Sequence, residues 1–122
     1  MKAVVLVFIG GGIGSSLRYL LGKWFNDSGQ IPYGTLLANT LGCLIIGLFL
    51  GYTLKHPSSS NNLSLLIATG FCGGFTTFST FSYENQVLLK AGNYMQFGIY
   101  TLGTLLLCFL FVFLGTLLSK II

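Results

Sequence analysis

The chain has 122 residues, 53% of them hydrophobic and only 7% charged. Soluble domains of this size carry about a quarter charged residues because most of their surface faces water. A water-soluble enzyme, a disordered chain and a nucleic-acid binder are therefore all poor fits. The net charge of +4 reflects a shortage of acids, Asp27 and Glu84 alone, and not a basic patch, since the Lys and Arg residues are scattered. The composition is that of an integral membrane protein. Cys43, Cys72 and Cys108 are odd in number, widely spaced and set in apolar stretches. With no CxxC and no Cys/His cluster, neither a disulfide framework nor a zinc site is expected, and the thiols read as small apolar packers.

A bilayer core of about 30 Å needs roughly 20 apolar residues per helix. In chain order, that length is met from Ala3 to about Phe25, from Tyr33 to about Leu54, from Leu63 to about Leu89, and from Gln96 to about Ser119. The expectation is one all-α, four-helix membrane domain over residues 1–122 with no soluble domain, tail or long loop. Its first run reads as a retained span and not a cleaved signal, because no small-residue cleavage site is clear. Turn and polar residues separate the spans: Asn26-Asp27-Ser28-Gly29-Gln30 before Pro32, His56-Pro57 with Ser58 to Asn62, and Lys90-Ala91-Gly92-Asn93. Lys2, Lys55 and Lys120 fall on one side of such a topology, and Lys23, Lys90 and nearby Arg18 on the other. This balance gives almost no orientation bias. It fits first a short protein oriented by few charges, and second a chain that inserts both ways up and pairs antiparallel with its own copy.

Ionisable residues inside a membrane are the first place to look for transport chemistry. The centres of the four spans hold none. Arg18 and Lys23 lie near one end of the first span and can snorkel, Glu84 sits late in the third, and His56 reads as a solvated loop residue. Proton-coupled antiport therefore has little to work with. The third span carries Thr69-Gly70-Phe71-Cys72-Gly73-Gly74-Phe75-Thr76-Thr77-Phe78-Ser79-Thr80-Phe81-Ser82. Glycines followed by β-branched and hydroxyl residues make a weak place for a continuous helix. A break there would free carbonyls suited to a small hard cation, whereas the same glycines could instead permit close helix packing.

Phe75, Phe78 and Phe81 recur every three residues, as along one helix face, with hydroxyls at Thr76, Thr77, Ser79, Thr80 and Ser82 between them. Such a stripe is commonly packing. Ring edges are nevertheless electropositive, and with hydroxyl donors alongside they suit a small, dehydrated anion. Asn39 is the one amide well inside the second span, readable as a helix–helix hydrogen bond or as a pore-lining donor. Gly10, Gly11, Gly12, Gly14, Gly47 and Gly51 read as packing positions, while Tyr100 and Thr104 place hydroxyls on one face of the fourth span.

Three stretches, Phe8 to Tyr19, Gly34 to Asn39 and Gly70 to Glu84, together resemble the CrcB/Fluc fluoride channels, and the resemblance runs the length of the chain. It implies an antiparallel, dual-topology homodimer of four-helix subunits with a break in the third helix. A heterodimer with a second related chain is the variant found in some relatives. Two fluoride pores would run along the dimer interface. A structural sodium ion would sit at the dimer centre on the backbone carbonyls of Gly73 and Thr76. The resemblance assigns Asn39, Phe78, Phe81 and Tyr100 to the pore, with the hydroxyls of Thr77, Ser79, Thr80 and Thr104 beside them. Arg18 and Glu84 become vestibule or structural charges. The implied function is passive, fluoride-selective export across a bacterial-type plasma membrane, which lowers cellular fluoride and its toxicity. The rivals are a small multidrug exporter, disfavoured because the first span has no Asp or Glu, and a non-conducting assembly subunit. An enzyme is the weakest reading, since no nucleophile–base pair or metal cluster is present.

Overall fold

The computed structural model describes the backbone of residues 1–122 and all side chains except those of residues 59 and 60. Among the described residues it is helical throughout, without strands. Helix α1 spans Lys2–Phe25 and α2 spans Tyr33–Lys55. A 3-10 turn, Pro57–Ser59, and the short α3, Ser60–Leu63, lead into a π-helix, Ser64–Cys72. One further turn, α4 (Gly73–Phe75), ends at the break; α5 (Phe78–Lys90) resumes the span, and α6 (Tyr94–Leu118) completes the bundle. Four helical stretches are long and apolar enough to cross a membrane, the third running Asn61–Lys90 across the break. The loops turn at Gly29 and Gly92, both at φ near +77° and +76°, where a side chain would be strained. Asn93 Nδ2 donates to Gly29 O at 3.2 Å and ties those two loops together.

The bundle has its polar groups inside. Thr35, Asn39, Thr40, Asn85 and Thr104 are buried, whereas Phe8, Phe109, Leu106 and many other large apolar side chains lie on the outside. In lipid this is the expected arrangement, since apolar groups gain nothing by leaving hydrocarbon and polar groups must find partners within the protein. Contact between helices therefore depends on small residues. A Cβ on Gly10 would meet Leu66 O and one on Gly14 would meet Phe71 O, so α1 lies backbone to backbone on the π-helix. That wider coil fits against α1 only because α1 carries no side chain there. Gly47 against Val112, and Gly115 against Leu44, bring α2 and α6 equally close.

Candidate functional site

The third span is interrupted at two extended residues, Thr76 (φ −85°, ψ 155°) and Thr77 (φ −154°, ψ 122°). Broken backbone in a membrane must have its polar groups satisfied, and side chains do most of that here. Asn39 of α2 grips the Thr77 peptide with both ends of its amide. Thr77 N donates to Asn39 Oδ1 at 2.7 Å, and Asn39 Nδ2 donates to Thr77 O at 3.1 Å. Thr77 then caps α5 by accepting from Thr80 N at 3.2 Å. Thr76 returns both its N–H (2.9 Å) and its hydroxyl (2.8 Å) to Cys72 O. From α1, Arg18 Nε donates to Gly74 O at 3.0 Å, placing a cation at the carbonyl end of α4.

The three glycines of this stretch do different things. Gly70 and Gly74 are pressed on α1, a Cβ on Gly74 meeting Gly11 O, while Gly73 faces open space. Both readings of the glycines, close packing and released carbonyls, thus have a place in the same turn. Among the described residues, the carbonyls of Gly73 and Thr76 accept no hydrogen bond.

A groove of about 460 Å³ opens at the break, lined by Asn39, Gly42, Cys43, Gly73, Thr76, Thr77, Phe78, Phe81, Thr104 and Cys108, among others. Phe78 is 75% exposed on its rim and Phe81 only 7% exposed. Their ring centroids are 5.7 Å apart, and Phe81 is in turn 5.1 Å from Tyr100, giving a three-ring ladder. Phe75 does not join it. It lies before the break, is buried, and stacks on Phe71 with centroids 5.3 Å apart. The two extended residues spoil the three-residue period, so the single face expected of Phe75, Phe78 and Phe81 does not form. Ser79 and Thr80 stay close to Thr77, whose Oγ1 is 3.3 Å from Ser79 Oγ and 3.2 Å from Thr80 Oγ1. Thr104 lines the groove, and its buried hydroxyl has no partner among the described residues.

The ladder ends at a partly buried acid. Glu84 Oε2 accepts from Tyr100 OH at 2.6 Å, and its Oε1 accepts from Thr35 Oγ1 at 2.6 Å and from Asn26 Nδ2 at 3.4 Å. Tyr100, 1% exposed, has its hydroxyl committed to that carboxyl group. One residue on, Asn85 donates to Phe81 O at 3.1 Å and accepts from Thr101 Oγ1 at 2.9 Å. Sequence reasoning missed Asn26, Thr35, Asn85 and Thr101. The available signal was Glu84 itself, because a lone acid in a membrane must be met by donors.

The fold and site define a multi-pass membrane protein whose third span is broken beside a largely apolar groove with two phenylalanines from that span. Residues 5–116 match the family described as CrcB-like protein, Camphor Resistance (CrcB), and the chain belongs to that family. Similar curated proteins are called fluoride-specific ion channel FluC. The one from Phocaeicola vulgatus is 47% identical, covering 98% of this chain and 100% of that protein. That of Oceanobacillus iheyensis is 42% identical over 88% of this chain and 83% of its own length, and that of Aquifex aeolicus 43% identical over 98% of each. With four spanning helices and bacterial relatives of this kind, the chain is a multi-pass plasma-membrane protein.

Proposed function

We propose that the chain is a fluoride-selective passive channel, and not an enzyme, that exports cytoplasmic fluoride and so lowers its concentration and toxicity in the cell. The observation that carries this reading is the broken third span. Asn39 fixes its geometry from one side, and Phe78, Phe81 and Thr104 line the groove beside it. The names of the relatives, fluoride-specific ion channel, agree with it. Fluoride enters cells as neutral HF and is trapped as the anion at cytoplasmic pH. A potential of 100 mV, negative inside, supplies about 2.3 kcal/mol per charge, so a simple conduit suffices. Hydroxyl donors and the second N–H of the Asn39 amide replace part of the ion's water. The electropositive ring edges of Phe78 and Phe81 hold it only weakly, which lets it leave again.

The working unit in this reading is an antiparallel homodimer. Gly73 and the Phe78 ring are exposed beside unpaired carbonyls at the break, and lipid cannot cover such a surface without a large cost. A second copy can. A structural sodium ion fits the same place: the carbonyls of Gly73 and Thr76 accept no hydrogen bond among the described residues, and a hard cation takes oxygen ligands. A dimer would double the two carbonyls of one chain. Bound there, sodium would supply fixed positive charge beside the break.

The test is fluoride efflux from liposomes holding the purified chain, started with a potassium ionophore and followed with a fluoride electrode. Fast fluoride release with little chloride release is expected. Absence of release from folded protein would point to a missing partner chain or an assembly role. The same vesicles should hold a sodium gradient while fluoride leaves, and sodium flux in step with fluoride would replace the structural site with symport.

A further inference from the structure

The wall of the groove contains a pair of thiols that none of the chemistry above uses. Cys43 of α2 and Cys108 of α6 both line it, from two helices packed against each other. One turn further along, Gly47 and Val112 touch through their backbones, which holds the helices at their closest approach beside the pair. Both cysteines are free and half-buried. One turn before Cys108, Thr104 also lines the groove, and its buried hydroxyl has no hydrogen-bond partner among the described residues. Cys72 lines the same groove from the π-helix, but no three potential ligands among the described residues come together in a metal-binding arrangement.

We infer that Cys43 and Cys108 form a two-coordinate site for a soft divalent cation of the mercuric type. Two thiolates are too few for zinc, which takes four ligands, and too soft for calcium or magnesium, whereas soft cations select thiolate sulfur. Charge points the same way. With mercuric chloride, two S–Hg bonds form, two Hg–Cl bonds break, and the two thiol protons leave with chloride as HCl. The product, S–Hg–S, is neutral and therefore tolerable in a low-dielectric wall. A monovalent cation held by the same two sulfurs would leave a net negative charge. Because the site lies in the groove that also holds Asn39, Phe78 and Phe81, a metal there obstructs passage; that consequence rests on the channel reading, whereas the binding does not.

The experiment uses the full chain in liposomes, with mercuric chloride as the probe. Retained mercury is measured after challenge with a monothiol competitor. Wild-type protein should retain it against a competitor concentration about a hundredfold higher than Cys43→Ser or Cys108→Ser tolerates, because the second thiol acts intramolecularly. Cys72→Ser should behave as wild type. Equal retention by either single variant, or loss in Cys72→Ser, overturns the assignment. Cys43→Ala and Cys108→Ala repeat the comparison, and size-exclusion profiles show that each variant is folded. Fluoride release is read separately, each variant against its own mercury-free rate. Retention without inhibition leaves the site standing and counts against the path through this groove; inhibition that persists in both single variants shows that mercury acts elsewhere.

Discussion

The two halves of the third span are held by opposite means. Before the break, the π-helix and α4 lie on α1 through glycines, backbone against backbone, with Gly10, Gly14 and Gly74 leaving no room for a Cβ. After it, α5 is held through side chains: Thr77 by Asn39, Asn85 by Thr101, and Glu84 by Thr35 and Tyr100. The first mode fixes distance and tolerates no added atom. The second fixes direction and depends on matched donors and acceptors. A break in a membrane helix needs both, because one half must be anchored before the other can be aimed.

Substitutions can set the two modes against each other. The largest effect is expected from Gly74→Leu, whose side chain would meet Gly11 O and Cα. Backbone has to move, and a loss of about 3 kcal/mol should appear as a collapse of the folded fraction on detergent size exclusion. Asn39→Leu comes next. It leaves the Thr77 N–H and C=O unpaired, at about 2 kcal/mol, and fluoride release should fall with thermal stability. Asn39→Asp keeps the acceptor and loses the donor, so stability intermediate between the two would show that both ends of the amide matter.

Tyr100→Phe removes one of the two short hydroxyl contacts to Glu84 while keeping the ring on Phe81. About 1 kcal/mol of stability should go, and a melting point equal to wild type would mean that Thr35 and Asn26 suffice for the acid. The smallest effect on stability belongs to Phe78→Ile, because the ring is 75% exposed; a change within about 0.5 kcal/mol is expected. Fluoride flux should nevertheless drop steeply with the dimer intact, and Phe81→Ile should reduce it as well. Unchanged efflux in both variants would remove the rings from the path.

The four spans were legible because bilayer thickness imposes a length and a composition that any such helix must meet, and the weak point in the third span was legible because Gly-Gly followed by hydroxyl and β-branched residues opposes a helix. The roles within it were less so. Asn39 reads equally as a packing amide or a pore donor until its partner is known, and that partner is a backbone 38 residues away. A three-residue period groups Phe75 with Phe78 and Phe81 only along an unbroken helix, and the two extended residues Thr76 and Thr77 are enough to separate them. Thr35 lies 49 residues from Glu84 and Tyr100 lies 16 from it. Periodicity carries nothing across such separations. The π-helical stretch had no signature beyond the bare glycine face of α1 on which it lies.

Asn26 closes the first loop by accepting from Gly34 N at 2.7 Å and Thr35 N at 3.3 Å, so it serves the start of α2 in place of a side-chain cap. The other end of the same amide reaches Thr35 Oγ1 at 3.1 Å and, 58 residues later in the chain, Glu84. A nascent chain therefore completes half of this junction as soon as its first helical hairpin enters the bilayer. The other half waits for α5 to leave the ribosome and insert. The first hairpin thus carries one amide N–H held ready for a later arrival, the other already given to Thr35.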